Sequence, residues 1–307
     1  GMCNVLEQTG RPSIEGADLR IGADGGVILA VGTAPQGQGH ETIFKQLICE
    51  ALGVTPGRVS IITGDTAVTA VGGGTFNSRS AVCGGAVVEI VKQQLIERCR
   101  DLAADQLEAA VEDIEFSSGM FQIMGTDRHI SLIDVAMAEG GVGEASEYSP
   151  DAPTFPQGCH ICEVEIDLDT GIVSVERYVT VDDVGTVLNP MTLEGQIHGG
   201  VVQGIGQALL EQIHYDAASG QIVSGSFMDY AMPRADNICD FTSGSHPVPT
   251  KSNPLGVKGA GEAGTVGALP AVMCAVADAL ADIGGGDIDM PATPERVWQL
   301  LAKSCGR

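Results

Sequence analysis

The segment from Asp183 to Glu211 reads DVGTVLNPMTLEGQIHGGVVQGIGQALLE and best defines how the chain folds. Its apolar residues recur at helical spacing and predict a helix from about Pro190 to Gln212. Five glycines crowd this helix, and each interior glycine costs roughly 1 kcal/mol relative to alanine. The segment therefore predicts a helix that packs closely against another backbone segment or a ligand.

A change of composition suggests where the chain divides. The 307 residues suffice for one large domain or two medium ones, and 42 of them are glycine. Residues 139–157 are rich in Gly, Pro and acidic side chains and poor in bulky apolar ones. We therefore predict two lobes, one at 1–145 with cofactor-binding loops and one at 146–307 with the glycine-rich helix.

The charge of the chain excludes several classes of partner. The formal net charge is -24 and the isoelectric point is about 4.3, so its field repels nucleic-acid phosphates and anionic membranes. No apolar run is long enough to span a bilayer, and residues 1–20 lack the pattern of a secretion signal. We expect a cytoplasmic protein with no nucleic-acid or membrane partner.

Nine cysteines without a secretion signal indicate reduced thiols rather than a disulfide framework. Cys159 and Cys162 form a C-x-x-C pair within a strand-like run, where alternation points them to opposite faces. No second pair completes a zinc site. We interpret this pair as structural and predict no metal site made of protein side chains.

Two glycine-rich loops each lead into a predicted helix. GQGHET at 37–42 precedes a helix from about His40 to Leu52, and GGGTFNSRS at 72–80 precedes one from about Ser80 to Leu102. Unpaired backbone N–H groups at a helix start favour anions, so each loop is a candidate anion site. The first loop departs from the dinucleotide fingerprint, and the second lacks the Lys-Ser/Thr ending of a P-loop.

A further loop begins at Ser252, carries the motif GAGEAG at 259–264 and precedes an apolar helix that follows Gly264. Glu262 lies between glycines, which would allow a ligand to approach its carboxylate closely. Gln196 occupies a comparable place near the start of the glycine-rich helix. A loop glutamate or a glutamine near a helix start is common, so neither residue is decisive alone.

The order of these motifs carries a family resemblance over nearly the whole chain. Four motifs follow one another at family-like spacing: GQGHET, the T-x-N-S-R-S loop, the segment from Asp183 to Glu211, and VKGAGEAGTVGALPAV at 257–272. The chain resembles the second molybdopterin-binding domain in the large subunits of xanthine dehydrogenase, aldehyde oxidase and aerobic carbon monoxide dehydrogenase. The resemblance implies a two-lobed α+β fold.

The resemblance also implies site residues. Glu262 matches the family's glutamate beside molybdenum, which acts as the general base, and Gln196 matches a glutamine that contacts the pterin. In the first lobe, the resemblance implies two groups of cofactor-binding residues. Gln38 and Gly39, with the candidates His40 and Thr42, match residues that contact the pterin and its phosphate. The pyrophosphate or nucleotide end matches a second group, which is Thr75, Asn77, Ser78, Arg79 and Ser80.

The implied cofactor is molybdopterin cytosine dinucleotide with molybdenum, whose metal is held by the pterin dithiolene rather than by protein ligands. Nothing in the chain resembles the family's first molybdenum-binding domain, so the resemblance implies a separate N-terminal molybdenum-domain chain. It also implies an iron-sulfur subunit and an FAD subunit as electron-transfer partners. The iron-sulfur and FAD groups are then expected only on those partner chains. An exposed docking surface would favour self-association into a homo-oligomer.

The implied reaction is hydroxylation of a small-molecule aldehyde or N-heterocycle with water as the oxygen source, performed only after assembly with the missing parts. A non-catalytic pterin-dinucleotide-binding protein, or a remnant without ligand, is the alternative. A neighbouring reading frame that encodes the first domain would favour the enzyme. A nicotinamide-dependent oxidoreductase is a third class, which NAD binding to the isolated chain would support.

Overall fold

The computed structural model describes residues 1–11, 13–69, 71–284 and 286–304. In chain order its elements are β1 (Met2–Leu6), β2 (Glu15–Gly22), β3 (Val27–Val31), α1 (His40–Leu52), β4 (Val59–Thr63), α2 (Gly85–Leu107), β5 (Ile114–Ser117), β6 (Met120–Ile123), β7 (His129–Ser131), α3 (Leu132–Ala138), β8 (Gly141–Tyr148), β9 (Gln157–Ile166), β10 (Val173–Asp183), α4 (Pro190–Leu209), β11 (Phe241–Ser245), α5 (Ala263–Ala279) and α6 (Pro294–Ser304).

These elements form two compact units that are discontinuous in sequence. Unit 1 consists of Gly1–Glu7, Phe155–Val248 and Ala260–Arg307, and unit 2 consists of Gln8–Thr154 and Pro249–Gly259. The division differs from the predicted lobes, whose boundary at 145/146 falls inside β8. The chain passes between the units four times rather than once, a pattern that composition along the sequence does not reveal.

Unit 1 packs three helices with a four-stranded sheet in the order β1-β9-β10-β11. β9 is antiparallel to β1 and β10, whereas β10 and β11 are parallel. The apolar core joins β9 and β10 to α4, α5 and α6, and Tyr178, Val201 and Val272 are fully buried within it. The two helices that carry Gln196 and Glu262 are thus fixed to one sheet.

Helices α4 and α5 approach each other through glycine. A Cβ atom on Gly264 would lie 2.4 Å from the carbonyl oxygen of Ile197 and 3.0 Å from the Cα of Gly200. One turn further on, a Cβ on Gly204 would meet the side chain of Ala268 at 2.6 Å. Because residue numbers rise together along the contact, the helices run in the same direction. This is the close packing that the glycine-rich sequence predicted.

The glycines of α4 serve two different faces. Gly200 and Gly204 face α5, whereas a Cβ on Gly195 or Gly199 would meet no atom within 4 Å. Gly195 and Gly199 therefore lie one helical turn apart on an open face of α4. The helix begins with Asn189, whose side chain accepts a hydrogen bond from the Thr192 N–H at 3.1 Å.

Unit 2 has a four-stranded sheet in the order β4-β3-β2-β8 and a small sheet in the order β5-β6-β7. β3 and β4 are parallel and are connected through α1, as a parallel pair requires. Helix α1 has the bounds that the sequence predicted, because Gly39 and Gly53 both adopt left-handed conformations at its two ends.

The segment at 139–157 was predicted as a boundary loop, and this was wrong for β8. Gly141–Tyr148 pairs with β2 through eight consecutive residue pairs. Its backbone hydrogen bonds and the cover of α2 hold it in place, so it needs few bulky apolar side chains. The predicted helix from Ser80 begins with a single π-helical turn at Ser80–Gly84, and α2 then continues to Leu107.

Among the described residues, no helix combines the length and the apolar content needed to cross a membrane.

The glycine contact between α4 and α5 can be tested with a matched pair of substitutions. Gly264→Ala should lower the free energy of unfolding by about 1–3 kcal/mol, because its Cβ would overlap backbone atoms of α4. Gly199→Ala should raise it by up to about 1 kcal/mol, because the same methyl group enters open space in a helix. Urea unfolding of both variants checks this, and equal effects would contradict the assigned contact.

Candidate functional site

The first predicted loop ends at the N-terminus of α1. Gly39 caps the helix in a left-handed conformation, with φ 77°, and provides no side-chain hydrogen bond to the first-turn N–H groups. Its lack of a side chain leaves those donors accessible to a ligand. The Gln38 amide turns back to Gln36 within the loop, and Thr42 is exposed.

His40 begins α1 and is almost fully buried beside Phe44, with their ring centroids 5.9 Å apart. Its Nδ1 has no hydrogen-bond partner among the described residues. Burial lowers the pKa of His40, because the charged imidazolium would lose its hydration there. A neutral ring with an unpaired nitrogen is one of the few buried polar groups in unit 2 that a ligand could still satisfy.

The second predicted loop contacts the segment just before the first. The Thr75 hydroxyl donates to the carbonyl of Ala34 at 2.6 Å and lies 3.1 Å from the Ser80 hydroxyl. Asn77 and Ser78 both adopt left-handed conformations, with φ 49° and 48°, which are uncommon for residues with a side chain. The structure therefore joins the T-x-N-S-R-S loop to Ala34, three residues before GQGHET, within unit 2.

The strained turn is held by the side chain of Asn77. Its amide donates to the carbonyl of Gln8 at 3.0 Å, and its amide oxygen accepts from the Arg11 N–H at 3.2 Å. Ser78 is closely covered by Gly259, since a Cβ on that glycine would lie 2.5 Å from the Ser78 carbonyl oxygen. The first glycine of GAGEAG is thus required by packing against this loop.

Arg79 is fully buried and points into unit 2. Its guanidinium pairs with Glu15 and donates to Ser13 Oγ at 3.0 Å and to the carbonyls of Gly74 at 2.8 Å and Ile14 at 3.1 Å. Burial raises the pKa of the Glu15 carboxyl, and the Arg79 charge opposes that rise. The guanidinium is therefore neutralised within the protein and supports the loop, while its role as a direct cofactor contact stays a prediction.

Gln196 and Glu262 lie at the same end of the helix pair in unit 1. Gln196 is half-buried in the second turn of α4, and Glu262 directly precedes α5 with an exposed side chain. Because Ile197 contacts Gly264, the start of α5 lies beside this turn of α4. The open face at Gly195 and Gly199 adjoins them, so a planar ligand could reach this end of both helices.

Glu7 is a residue that the sequence did not single out. It follows β1, its backbone N–H donates to the Pro156 carbonyl at 3.2 Å, and its carboxyl hydrogen-bonds the Glu262 carboxyl. Burial, together with the neighbouring Glu262, raises the pKa of Glu7 to about 8. Its Oε2 atom is buried and has no partner among the described residues. No local pattern could find a pair whose members lie near opposite ends of the chain.

A buried polar network fixes the sheet side of α5. His160 Nδ1 lies 2.7 Å from the Tyr178 hydroxyl, and its Nε2 lies 3.1 Å from Asp182. The Asp182 carboxylate also accepts a hydrogen bond from the Thr180 hydroxyl at 2.6 Å. The His160 ring fills the space above Gly267, where a Cβ would lie 2.3 Å away. Burial raises the pKa of Tyr178 strongly, so its hydroxyl remains protonated.

The eight cysteines within the described residues are free, and Cys159 and Cys162 form no disulfide. Within the same residues, no three His, Cys, Asp or Glu side chains are grouped so that they could hold a metal ion.

The buried Arg79–Glu15 pair generates a stability prediction. Arg79→Gln should lower the free energy of unfolding by about 3–5 kcal/mol, because it leaves the Glu15 charge buried without its partner. Arg98→Gln removes the exposed Arg98–Glu144 pair and should cost no more than about 1 kcal/mol. Denaturant unfolding compares the two variants, and a small loss for Arg79→Gln would show that the pair is not essential to the loop.

Known proteins share both sequence and fold with this chain. The carbon monoxide dehydrogenase large chain of Hydrogenophaga pseudoflava is 34% identical over an alignment 310 residues long that covers 98% of this chain and 38% of that protein. The nicotine 6-hydroxylase large subunit of Paenarthrobacter nicotinovorans is 37% identical over an alignment 294 residues long that covers 92% of this chain and 36% of that protein. The chain therefore spans less than two fifths of either relative.

The solved structure of reconstituted CO dehydrogenase from Oligotropha carboxidovorans matches with a TM-score of 0.92 at 31% identity, over 99% of this chain and 40% of that one. This likeness confirms the predicted α+β fold. Residues 1–239 match the family described as molybdopterin cofactor-binding domain. The resemblance inferred from the four sequence motifs is thereby confirmed, and the chain belongs to the molybdopterin cofactor-binding domain family.

Proposed function

We propose that this chain is the C-terminal molybdopterin-binding part of a molybdenum hydroxylase that oxidises an aldehyde or N-heterocycle with water as the oxygen source. The observation that carries the proposal is the position of Glu262, an exposed carboxylate at the start of α5 beside the turn that holds Gln196. The motif resemblance gives Glu262 the role of base and Gln196 that of a pterin ligand, and the family match of residues 1–239 to a molybdopterin cofactor-binding domain supports that interpretation.

The residues present fit a pterin cofactor with a phosphate tail. A pterin offers several hydrogen-bond donors and acceptors, and Gln196 and the unpaired Nδ1 of His40 are polar groups that could meet such atoms. The uncapped N–H groups after Gly39 suit a phosphate. The glycines Gly195 and Gly199 leave room for a flat ring system to approach the backbone of α4.

Within each unit, the proposal divides the binding groups by chemistry. In unit 2, Gln38 and Gly39 would face the pterin and its phosphate, with His40 and Thr42 beside them. In unit 1, Gln196 would contact the pterin. The loop at 75–80 would hold the nucleotide end through backbone N–H groups and hydroxyls, since the Arg79 charge is engaged by Glu15. We propose the cytosine dinucleotide form of the cofactor for this end.

When bound, the molybdenum cofactor supplies the redox centre that accepts two electrons from the substrate. Glu262 acts as the general base and accepts a proton at its carboxylate. Its exposed side chain and the glycines around it allow a small molecule to approach. The glycine contact between α4 and α5 keeps this base and Gln196 at one end of a rigid helix pair.

The rest of the enzyme would come from other chains. An N-terminal molybdenum-domain chain would complete the cofactor site, and iron-sulfur and FAD subunits would carry the electrons away. The relatives named above are called large chain and large subunit, which supports assembly into a multi-subunit complex. The surface that docks with these chains also favours self-association of the isolated chain.

Turnover should require this assembly. The purified 307-residue chain alone should oxidise no aldehyde or purine with an artificial electron acceptor, because part of the proposed cofactor site and the electron path would lie outside these residues. The complex reconstituted with the N-terminal molybdenum-domain chain should gain activity. A steady-state assay of both samples decides the point, and turnover by the isolated chain would contradict the proposed division of the site.

Glu262→Gln tests the base in the assembled complex. The substitution keeps the shape and removes the proton acceptor, so turnover should fall by at least ~100-fold while molybdenum content stays unchanged. Glu163→Gln, which changes an exposed glutamate on β9, should leave both quantities unchanged. Near-normal turnover of a fully loaded Glu262→Gln complex would exclude Glu262 as the base. A loaded wild-type complex without turnover would instead favour a cofactor-binding protein.

A further inference from the structure

The course of β1 determines which residue lies next to Glu262. Gly1 lies against the middle of α5, since a Cβ on it would be 2.4 Å from the Ala271 carbonyl oxygen and 2.2 Å from the Ala275 nitrogen. The strand from Gly1 to Glu7 extends roughly 20 Å at ~3.3 Å per residue. The helix from Ala275 back to Glu262 covers roughly 20 Å at ~1.5 Å per residue. The strand therefore ends where the helix begins.

The contact at that end joins two carboxyl groups. An ionised carboxylate only accepts hydrogen bonds, so a hydrogen bond between Glu7 and Glu262 requires a proton on one of them. Glu7 is half-buried with a fully covered Oε2, whereas Glu262 is exposed. Burial penalises the charged form, which places the proton on Glu7. The raised pKa of Glu7, about 8, agrees with this assignment.

The neighbours of Glu7 explain why its pKa is raised. From α5, the charged group that faces it is the carboxyl of Glu262. On the side of β9, two neutral residues are its neighbours. Pro156, directly before β9, accepts the Glu7 N–H, and Gln157, the first residue of β9, pairs with Leu6. The titration of Glu7 is therefore governed by its burial and by Glu262.

We propose that Glu7 is a positioning residue for Glu262: the half-buried Glu7 carboxyl donates a hydrogen bond that holds the exposed Glu262 carboxylate in one orientation. The inference rests on the proposed function, because it concerns the base of that reaction. It assigns a role to a residue that lies outside every motif of the family resemblance.

The shared proton can be measured on the 307-residue chain without cofactor. In a sample with ¹³C-labelled glutamate carboxyls, one resonance should titrate with a midpoint of about 8 and vanish in Glu7→Gln. In Glu262→Gln the same resonance should titrate at lower pH, because the neighbouring charge is gone. Glu15 also has a raised pKa, so a high-pH resonance that survives Glu7→Gln belongs to Glu15. If Glu7→Gln removes only a resonance that titrates near pH 4.5, the proposal is wrong.

Stability provides a second readout. The unfolded chain releases the Glu7 proton near pH 4.5, whereas the folded chain holds it up to about pH 8. The folded state therefore binds more protons between these values, and the contribution of Glu7 to the free energy of unfolding falls as pH rises through this window. Glu7→Gln should remove this part of the pH dependence, and Glu163→Gln should leave it in place. An identical slope in wild type and Glu7→Gln would contradict the shared proton.

The assembled complex tests the positioning role. Glu7→Gln still offers an N–H donor to Glu262 and should keep kcat within about threefold, but it should lose any pH dependence near pH 8. Glu7→Leu removes the donor at similar volume and should lower kcat by about tenfold or more with little change in KM. Equal molybdenum content and melting temperature in both variants exclude a folding defect.

The outcomes separate this inference from the proposed function. Glu7→Leu with wild-type kcat, or Glu7→Gln as impaired as Glu7→Leu, would overturn the positioning role even though the enzyme turns over. A cofactor-loaded complex without any turnover would overturn the proposed function and this role with it, while the carboxyl titration would still decide where the proton lies.

Discussion

The close approach of α4 and α5 is the constraint on which the rest of unit 1 depends. Because Gly200 and Gly264 carry no side chain, the two backbones meet directly, and the start of α5 lies beside the second turn of α4. Interior glycines weaken an isolated helix, and this contact offsets that cost through packing. The same contact fixes Gln196 and Glu262 at one end, so the chemistry of the unit follows from a backbone arrangement.

Unit 2 raises a different question, which is how the proposed anion-binding loops would hold a phosphate in an acidic chain. The chain has only 16 Lys and Arg residues against 40 Asp and Glu. Arg79, the cation within the anion-binding motif, is engaged by Glu15 and by backbone carbonyls. A phosphate would therefore meet backbone N–H dipoles and hydroxyls, which bind anions without a net side-chain charge. This explains why glycines and strained turns, rather than lysines, mark the loops.

The sequence predicted the features that local patterns determine. Helix α1 was predicted to its bounds because its apolar residues recur at helical spacing and Gly53 ends it. Glu262 was singled out from its glycine setting together with the family resemblance, and its role stays a prediction. Features that depend on distant partners were missed. Strand β8 exists because β2 supplies its hydrogen bonds, the partner of Arg79 lies in β2, and Glu7 meets Glu262 only because β1 lies along α5.

The glycines that make Glu262 accessible also explain why it needs a partner. A glutamate flanked by Gly261 and Gly264 at a helix start gains little orientation from neighbouring side chains, and a free side chain loses entropy whenever a reaction demands one geometry. A second carboxyl that stays protonated can supply that orientation without adding a charge beside the base. An alanine or leucine in place of Glu7 would fill space but orient nothing, whereas a lysine would add a positive charge beside the base. The pairing of an exposed carboxylate with a half-buried carboxylic acid would therefore reconcile access for substrate with a defined position for the proposed base.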